Sequence, residues 1–209
     1  MYKGLTLPET MNEPQLYLAS SSPRRRSLLQ QIGVHFVPVE VEIPEIRRRG
    51  EGPGEFVTRM ALEKARAGRK YLGFPRPPVL GADTVLVLDG EVLGKPRDRK
   101  HGLALLKRLS GRSHEVLSGV ALVGEREQFR LQTSRVTFRE ISRAERIAYW
   151  STGEPADKAG AYGIQGVGAI FIAHLEGSYS GVMGLPLFET TELLAAFGIS
   201  ILDTVSKHS

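Results

Sequence analysis

The chain has 209 residues, of which 41% are apolar, and this size suits one compact core or two closely packed lobes. No apolar run reaches the roughly 20 residues that a membrane helix requires, and the absence of cysteine excludes disulfides, thiolate metal ligands and cysteine nucleophiles. The formal net charge of +5 favours an anionic partner but does not distinguish nucleotides from nucleic acids.

The two ends of the chain are predicted to lie outside the folded domain. Residues 1–14 lack the apolar segment of a secretory signal and carry Glu9 and Glu13, so we expect a flexible leader. Residues 199–209 are predicted to form a C-terminal tail, and a single domain is expected to span residues 15–198. A chain without cysteine or an apolar signal is compatible with a cytoplasmic location, which we predict.

In chain order, the first half of the sequence alternates between predicted strands and helices. Apolar periodicity defines their interiors, while capping residues and breakers define their ends. The predicted elements are a strand at 16–20, a helix capped by Ser22 and ended by Gly33, a strand at 34–41, a loop at 43–54, a helix at about 55–71, and a strand at 79–88 that leads into a hairpin turn at Asp89-Gly90.

The second half combines long hairpin segments with further helices. The predicted elements are a helix at 98–109 with Leu103, Leu106 and Leu109 on its buried face, extended segments at about 114–123 and 128–140, a helix capped by Ser142 and Glu145, an extended glycine-rich stretch at 160–173, and a helix from Pro186 to Phe197. Crossover helices together with long hairpins favour an α/β fold with a mixed sheet.

The segment Ser20-Ser21-Ser22-Pro23-Arg24-Arg25 lies between the first strand and the first helix. Exposed N–H groups at the helix start, three hydroxyls and two guanidiniums together suit a polyphosphate, which favours Ser22, Arg24 and Arg25 as phosphate-binding residues. An ordinary capped helix with a solvated basic face explains the same residues equally well at this point.

Asp83 is an acidic residue inside an otherwise apolar strand, Val-Leu-Gly-Ala-Asp-Thr-Val-Leu-Val-Leu. Burying an ionised carboxylate is costly unless a cation or hydrogen-bond donors compensate it, and such carboxylates concentrate at catalytic and metal sites. We therefore interpret Asp83 as a metal ligand or as a base that takes a proton from water. The alternative is a structural aspartate bonded to a neighbouring loop.

Three further charged residues become candidates because of where they lie in the sequence. Lys64 falls on the predicted inner face of its helix, which implies an anionic partner such as Asp83 or a phosphate, although its stem can also reach the surface. Lys95 lies at a rigid Gly-Lys-Pro corner and can reach the same anion. Glu45 lies in a loop, where acids are usually solvated, and becomes a candidate only as a second carboxylate for a hard divalent cation.

The segment from Asp157 to Gly166 packs three glycines around polar side chains. Glycines at this density let the backbone approach a ligand or another strand closely. Gln165 carries a donor and an acceptor on one planar group, which suits the Watson–Crick edge of a base. A glycine-rich bend with a solvated glutamine is the alternative. The histidines show no metal-ligand spacing and are assigned no role.

Together these segments resemble the Maf family of nucleotide pyrophosphatases, and the resemblance covers about residues 16–197. Each motif is weak alone, whereas the ordered set is specific. The motifs, in family order, are Leu-Ala-Ser-Ser-Ser-Pro-Arg-Arg at 18–25, Glu-Lys-Ala at 63–65, Gly-Ala-Asp-Thr at 81–84, Gly-Lys-Pro at 94–96, Ser110-Gly111 with His114, Gly153-Glu154-Pro155, the segment 157–166, and Gly184-Leu185-Pro186-Leu187.

The resemblance implies an elongated α/β fold of two lobes, similar to inosine-triphosphate pyrophosphatases, with the active site in the central cleft. It also implies hydrolysis of a nucleoside triphosphate to the monophosphate and pyrophosphate, with Asp83 as the catalytic proton acceptor. The other implied site residues are Glu45, Lys64 and Lys95 as charged active-site groups, Arg24 and Arg25 as phosphate-side arginines, and Arg24, Thr84 and Gln165 as positions linked with base selectivity.

Two segments are similar to one branch of the family. The branch that acts on 7-methyl-GTP typically has a tryptophan at the position of Arg24 and a Lys-Ser-Glu-like stretch at Gly163-Ile164-Gln165, so this chain resembles the branch that acts on dTTP and UTP. Ser118 in place of threonine, and Ser180-Gly181 in place of an Asn-containing pair, depart from the commonest pattern without removing a catalytic group. The preferred triphosphate among dTTP, UTP, CTP and modified forms stays open.

The resulting hypothesis is a soluble enzyme that clears pyrimidine triphosphates from nucleotide pools. A divalent cation, Mg²⁺ or Mn²⁺, is expected on Asp83 and Glu45, while cationic side chains stabilise the leaving pyrophosphate. The resemblance is compatible with a homodimer, and neither a membrane nor a nucleic acid is expected as a partner. The alternative is a non-catalytic regulator of cell division that binds a nucleotide or nucleic acid, although aromatic residues make up only 7% of the chain and do not alternate with its basic runs.

Overall fold

The computed structural model describes residues 14–74 and 76–202. The helices in this part of the chain are too short or too polar to span a bilayer. The leader predicted for residues 1–14 lies outside the described residues except for Pro14. The predicted C-terminal tail lies outside them from residue 203 onward, and its described part includes helical residues at 201–202.

Seven strands and six α-helices follow one another along the described chain. The strands are β1 (Leu16–Ala19), β2 (Phe36–Val39), β3 (Val79–Leu88), β4 (Glu91–Leu93), β5 (Ser113–Val123), β6 (Glu127–Phe138) and β7 (Ile172–Glu176). The helices are α1 (Pro23–Gln31), α2 (Pro53–Tyr71), α3 (Arg99–Leu109), α4 (Arg143–Ser151), α5 (Tyr179–Met183) and α6 (Leu187–Ala196). Short 3₁₀ turns at Glu154–Asp157, Ala159–Ala161 and Val167–Phe171 lie between α4 and β7.

Local sequence signals account for the ends of several elements. Ser22 caps α1 with Pro23 as the first helical residue, and Gly33 follows the helix with a φ of 71°. Asp89 and Gly90 both have positive φ in the tight turn between β3 and β4, which is the conformation that this dipeptide favours in hairpins. The capping box predicted at the start of α4 is also present. These sequence predictions are therefore confirmed.

One mixed seven-stranded sheet organises the fold, in the order β2-β1-β3-β5-β6-β7, with β4 paired to the end of β3. β1 runs parallel to both β2 and β3, whereas β3, β5, β6 and β7 form an antiparallel series. Pro38 lies in β2, at the edge of the sheet, where a strand tolerates proline. The predicted α/β fold with a mixed sheet is therefore confirmed.

Helix α2 packs directly on the backbone of β3 and β5. A Cβ at Gly119 would lie 2.8 Å from the Val57 carbonyl oxygen, and one at Gly81 would overlap the Ala61 carbonyl oxygen. Glycine at both positions is therefore what allows the helix to approach the sheet so closely. The same close packing places Lys64 against β3.

Three apolar clusters hold the helices on the sheet. One lies between the sheet and the helices α1 and α6, one lies beneath α3 and α4, and one lies between α2 and the sheet. The clusters include Leu80 and Leu194, Leu106 and Phe138, and Val57 and Met60, respectively. Burying each of these large apolar side chains stabilises the fold by about 1.5–3 kcal/mol.

Some details of the elements differ from the sequence predictions. Of residues 160–173, which were predicted to be extended, 172–173 begin β7, whereas 3₁₀ turns cover 159–161 and 167–171. Gly160 and Ala161 have φ values of 69° and 61°, which turn the chain at this point. Helix α2 begins at the proline of the Gly-Pro-Gly sequence and not after it. In α3, Leu105 is buried together with Leu106 and Leu109, and Leu103 is only partly buried. The short helix α5 was not predicted.

Candidate active site

Among the described residues, the central strand β3 lacks a neighbour on one side over a short stretch. β1 pairs with β3 only as far as Ala19 and Gly81, and β4 begins its pairing at Leu86. Asp83 and Thr84 lie in this gap, and they project to opposite faces of the sheet because successive strand residues alternate. The chain leaves β1 at the same place to form α1. Ligands of α/β proteins bind at such openings beyond the carboxyl ends of parallel strands.

On the α2 face of the sheet, Lys64 joins two carboxylates. Its Nζ donates to Asp83 Oδ1 at 2.7 Å and lies 2.6 Å from Glu45 Oε1. The Asp83 and Lys64 side chains are only 11% and 12% exposed, whereas the Glu45 side chain is 55% exposed. Asp83 therefore has the cationic partner that an ionised carboxylate in an apolar strand requires.

The pKa of Glu45 reflects its cationic surroundings. Burial raises this pKa, but the hydrogen bond and charge of Lys64, together with the charges of Lys95 and Arg25, lower it by more, so that the pKa lies below its usual value. Because charge interactions weaken with distance, Lys95 and Arg25 belong to the same electrostatic environment as Glu45 and Lys64. Lys95 itself is exposed, in the segment between β4 and α3.

Arg25, in the first turn of α1, is held by neutral oxygens. Its Nε donates to the Gly184 carbonyl at 2.8 Å, and its two terminal nitrogens donate to Ser20 Oγ at 3.1 Å and Thr84 Oγ1 at 3.5 Å. Burial lowers the pKa of Arg25, and the charge of Asp83 acts in the opposite direction. These hydrogen bonds fix the guanidinium without neutralising it, which leaves its charge available to an anionic ligand.

A directional chain of hydrogen bonds supports Arg25. Ser118 Oγ donates to the Gly181 carbonyl at 2.6 Å and lies 2.9 Å from Thr84 Oγ1. Because the hydrogen of Ser118 is donated to Gly181, Thr84 is the donor in its contact with Ser118, although the Gly184 carbonyl at 3.4 Å is a second acceptor for the same Thr84 hydrogen. In either case a lone pair of Thr84 can accept from Arg25. Ser118 is fully buried, so the protein supplies the partners of its hydroxyl.

Arg24 and Ser22 have other partners. Arg24 Nη1 lies 3.4 Å from Asp157 Oδ2, and Lys158 Nζ donates to the other oxygen of Asp157 at 2.6 Å. Ser22 Oγ accepts from the backbone N–H of Arg25 at 3.5 Å as the cap of α1. Arg24 thus links α1 to the 3₁₀ turns that precede Gln165, and Ser22 sets the start of the helix.

Gln165 lies on a separate exposed loop. The preceding residue, Ile164, is buried in the apolar cluster that also contains Leu28 of α1 and Ala82 of β3. The loop is therefore anchored beside the helix that carries the two arginines. The structure joins predicted residues into two groups, Glu45–Lys64–Asp83 and Ser22–Arg25–Thr84, which meet where Asp83 and Thr84 are neighbours in β3. Arg24 contacts Asp157 instead, and Lys95 and Gln165 lie on other segments.

The residues predicted to bind a metal are two carboxylates that share one lysine. No group of three or more His, Cys, Asp or Glu side chains in the described part of the chain could hold a metal ion. Mg²⁺, however, is usually bound by one or two carboxylates together with substrate phosphates and water. Asp83 and Glu45 fit this shared mode of binding and do not fit a closed site built by the protein alone.

A wide surface cavity of about 780 Å³ lies on the outer side of α2, and none of its described lining residues belongs to the predicted site. Its three described arginines are already paired: Arg48 contacts Glu63, Arg59 contacts Glu51 and Glu63, and Arg66 contacts Glu127. Because these carboxylates neutralise the guanidiniums, the cavity is a poorer candidate for an anionic ligand than the opening in β3.

Three contributors to the site were not identified as such from the sequence. Ser118 is a polar residue within an apolar strand, which is the same signal that identified Asp83. Ser20 was recognised only as one hydroxyl of a serine-rich segment, and its contact with Arg25 depends on the turn after β1. Gly184 contributes only its carbonyl oxygen, for which a sequence has no signal.

In this α/β sheet, a buried lysine–carboxylate pair lies beside a helix start that carries an arginine. This arrangement suits a phosphate-containing ligand and is the class of site that phosphate-binding proteins use. Within that class, this chain belongs to the Maf family, because the sequence profile described as Maf-like protein matches residues 15–197. The resemblance predicted from the ordered motifs is thus confirmed.

Individual relatives cover almost the whole chain. The dTTP/UTP pyrophosphatase of Alkalilimnicola ehrlichii is 59% identical over 190 residues, which cover 89% of this chain and 94% of the relative. The dTTP/UTP pyrophosphatase of Saccharophagus degradans is 54% identical over 193 residues, which cover 91% and 92%. Among solved structures, a nucleoside-triphosphatase / dITP/XTP pyrophosphatase from Mycobacterium abscessus aligns at 22% identity with a TM-score of 0.39, over 60% of this chain and 74% of that chain.

Proposed function

We propose that this protein is a nucleoside-triphosphate pyrophosphatase that hydrolyses pyrimidine nucleoside triphosphates, dTTP and UTP foremost, to the monophosphate and pyrophosphate. Relatives named for this activity are 59% and 54% identical to the chain. The observation that carries the proposal is the 2.7 Å contact between Asp83 and Lys64 at the opening in β3, beside an Arg25 guanidinium bonded to neutral oxygens.

In the proposed reaction, Asp83 acts as the general base. One of its oxygens accepts from Lys64, which leaves the other to take a proton from the attacking water. The water oxygen bonds to the α-phosphorus, the bond from this phosphorus to the α–β bridging oxygen breaks, and pyrophosphate leaves. Lys64, Arg25 and Lys95 stabilise the negative charge that develops, so that positioning and electrostatics supply most of the rate enhancement.

The proposed cofactor is a divalent cation, Mg²⁺ or Mn²⁺, held by Asp83 and Glu45 together with the triphosphate. When bound, such a cation supplies Lewis-acid polarisation of the phosphoryl oxygens. The contribution of the protein is to keep the two carboxylates together, which Lys64 does by contacting both. The lowered pKa of Glu45 keeps its carboxylate ionised and able to serve as a ligand.

Base selectivity is proposed to come from Gln165, with Arg24 and Thr84 as further selectivity positions. The O4/N3 edge of uracil or thymine presents an acceptor beside a donor, and the glutamine amide carries the complementary pair. A site built on such hydrogen bonds rejects a base that leaves its polar groups unpaired. Arg24 and Thr84 lie on the two elements, α1 and β3, that border the opening.

We further infer that residues 15–198 act as one domain of two lobes with the site in the cleft between them. The proposed substrates belong to the nucleotide pool, which supports a cytoplasmic role in clearing it. The names of the two relatives give no support to a non-catalytic regulator.

The test is product analysis with UTP, dTTP, CTP and GTP in the presence of Mn²⁺. We expect UMP and pyrophosphate in equal amounts from UTP, a clear preference for UTP and dTTP over GTP, and loss of activity when EDTA removes the metal. Release of UDP and inorganic phosphate would place cleavage at the β–γ bond and contradict the proposal. Tight binding of UTP without any turnover would favour the non-catalytic regulator.

A further inference from the structure

The loop that carries Gln165 begins at a hydrogen bond to a buried tyrosine. Tyr149, in α4, accepts from the backbone N–H of Gly163 at 3.2 Å and donates its hydroxyl proton to Glu154 Oε1 at 2.7 Å. The tyrosine ring is buried and packs edge-on against Phe171 at a centroid distance of 5.1 Å, so its hydroxyl has a fixed position.

The same loop ends at hydrogen bonds to Glu154. The two oxygens of this carboxylate accept from the backbone N–H of Val167 at 2.7 Å and from that of Gly168 at 3.1 Å. The backbone is therefore held on both sides of Gln165 by one tyrosine–glutamate pair. Such charge-assisted hydrogen bonds are stronger than those between neutral groups.

The glycines of this segment fit against the same pair. A Cβ at Gly166 would overlap the Glu154 carboxylate, and one at Gly168 would lie 2.5 Å from the Tyr149 hydroxyl oxygen. The glycine density of this segment is thus explained by close approach of the backbone to a side-chain clamp within the protein. We call Tyr149 and Glu154 the loop clamp.

The ionisation of both groups suits this role. Burial raises the pKa of Glu154, but the hydrogen bonds from Tyr149 and from the backbone of Gly168 and Val167 lower it by more, so the carboxylate stays ionised at neutral pH. Burial also raises the pKa of Tyr149, so its hydroxyl keeps the proton that it donates. The loop clamp therefore keeps one pattern of donors and acceptors throughout the neutral range.

We propose that Tyr149 and Glu154 are positioning residues for base selectivity, because they fix the backbone on both sides of Gln165 and so present its amide to the base in one orientation. They act through Gln165 and not on the reacting phosphate. This inference rests on the proposed function and deepens it, since misplacing a selectivity residue by a fraction of an ångström is enough to weaken discrimination.

The test compares Glu154→Gln, Tyr149→Phe and Gln165→Ala with a matched control, Glu145→Gln. Glu145 is also a hydrogen-bonded carboxylate of this region, but it caps α4 and contacts Arg139 and Ser142, and Arg139 bonds to Ile170, beyond residues 163–168. In the two clamp variants we expect the ratio of kcat/KM for UTP to that for GTP to fall by about tenfold or more, as in Gln165→Ala. Because the groups at the phosphate are intact, kcat for UTP is expected to stay within about twofold of wild type while KM rises.

Amide hydrogen exchange supplies a readout that does not depend on activity. Peptides covering residues 163–168 are expected to exchange faster in Glu154→Gln than in wild type, and to keep wild-type protection in Glu145→Gln. The control variant is expected to lower the melting temperature without changing the UTP:GTP ratio, which separates a positioning role from a general loss of stability.

Each outcome bears on one of the two proposals. An unchanged ratio in both clamp variants, with a flattened ratio in Gln165→Ala, overturns the positioning role and leaves the proposed function standing. An unchanged ratio in Gln165→Ala overturns base recognition by this residue and the inference with it. An equal loss of selectivity in Glu145→Gln also overturns the positioning role. Should Glu154→Gln fail to fold, Tyr149→Phe, which removes a single oxygen atom, decides the question.

Discussion

Helix α2 carries charged side chains on two faces that differ in how their charges are satisfied. On the outer face, Arg59 pairs with Glu51 and Glu63, and Arg66 pairs with Glu127. On the inner face, Lys64 is buried and shared between Asp83 and Glu45. The outer face is richer in arginine, yet its charges are neutralised within the protein.

The opening in β3, which the inner face of α2 borders, keeps a surplus of positive charge. Lys64, Arg25 and Lys95 supply three cations around the two carboxylates of Asp83 and Glu45, which leaves a net charge of 3 − 2 = +1. Because Asp83 and Lys64 are largely buried, charges at this point interact with a ligand more strongly than they would in bulk water. A fixed and incompletely neutralised guanidinium is therefore a better sign of an anion site than the number of arginines.

The largest expected effect follows from Asp83, the buried acid of the inner face. Asp83→Asn keeps the shape of the side chain but removes the base, so turnover of UTP is expected to fall by about 10²–10⁴-fold with the circular dichroism spectrum unchanged. Asp89→Asn is the matched control, because Asp89 is exposed and pairs with Arg112 in the hairpin turn. An Asp83→Asn enzyme with more than about a tenth of the wild-type rate would remove Asp83 from the role of base.

The next effect concerns the lysine that joins the carboxylates. Lys64→Met leaves Asp83 and Glu45 without their shared cation and removes a charge from the developing transition state, so kcat is expected to fall by about 10²-fold. Lys70→Met, in the last turn of the same helix and exposed, serves as the control and is expected to keep full activity. Equal kinetics for the two variants would mean that Lys64 is only structural.

A third substitution compares Arg25, at the opening in β3, with Arg66, on the outer face of α2. Arg25→Gln is expected to raise KM for UTP by about tenfold, because a charge-assisted contact to phosphate is lost. Inhibition by inorganic tripolyphosphate should weaken in parallel, since it shares the phosphates and lacks the base. Arg66→Gln, on the outer face of α2, is expected to leave both quantities unchanged. A rise in KM for this variant would show that the outer face binds substrate and would contradict the prediction.

The smallest effect concerns the stability of the outer face. The hydrogen bond from Arg59 is the main reason that the pKa of Glu51 is lowered from 4.5 to about 2. A carboxylate whose pKa is lower in the folded than in the unfolded state stabilises the protein at pH values above its unfolded-state pKa. This stabilisation is lost as the pH falls through the folded-state pKa. The difference in melting temperature between wild type and Glu51→Gln is therefore expected to be largest at pH 7 and to decrease between about pH 4.5 and 2. A difference that does not change with pH would show that the charge is irrelevant.

Much of the fold and part of the site could be predicted because their signals are local. Val79–Leu88 is an apolar run ended by a turn dipeptide, and Ser22 with Pro23 marks the start of a helix within a few residues. Asp83 was identified because a lone acid in an apolar strand needs a partner, and helical spacing placed Lys64 on the buried face.

The parts that could not be predicted depend on contacts between distant residues. The loop around Gln165 takes its shape from Glu154, whose carboxylate reaches backbone groups 13 and 14 residues later in the chain. Its glycines suggested an extended path near a ligand, whereas the positive φ of Gly160 and Ala161 produces tight turns. The contact between Ser118 and Thr84 likewise requires the pairing of β5 with β3, which no local pattern specifies.

The close seating of α2 on the sheet has a consequence for how the site responds to change. Because Gly81 and Gly119 meet the main chain of the helix, backbone packed against backbone sets the distance between the two elements that carry Lys64 and Asp83. A single methyl group at either glycine would lift the helix and pull the ammonium away from its acid, although neither glycine carries a functional group. The chemistry of this protein is therefore sensitive to two residues that have no side chain at all.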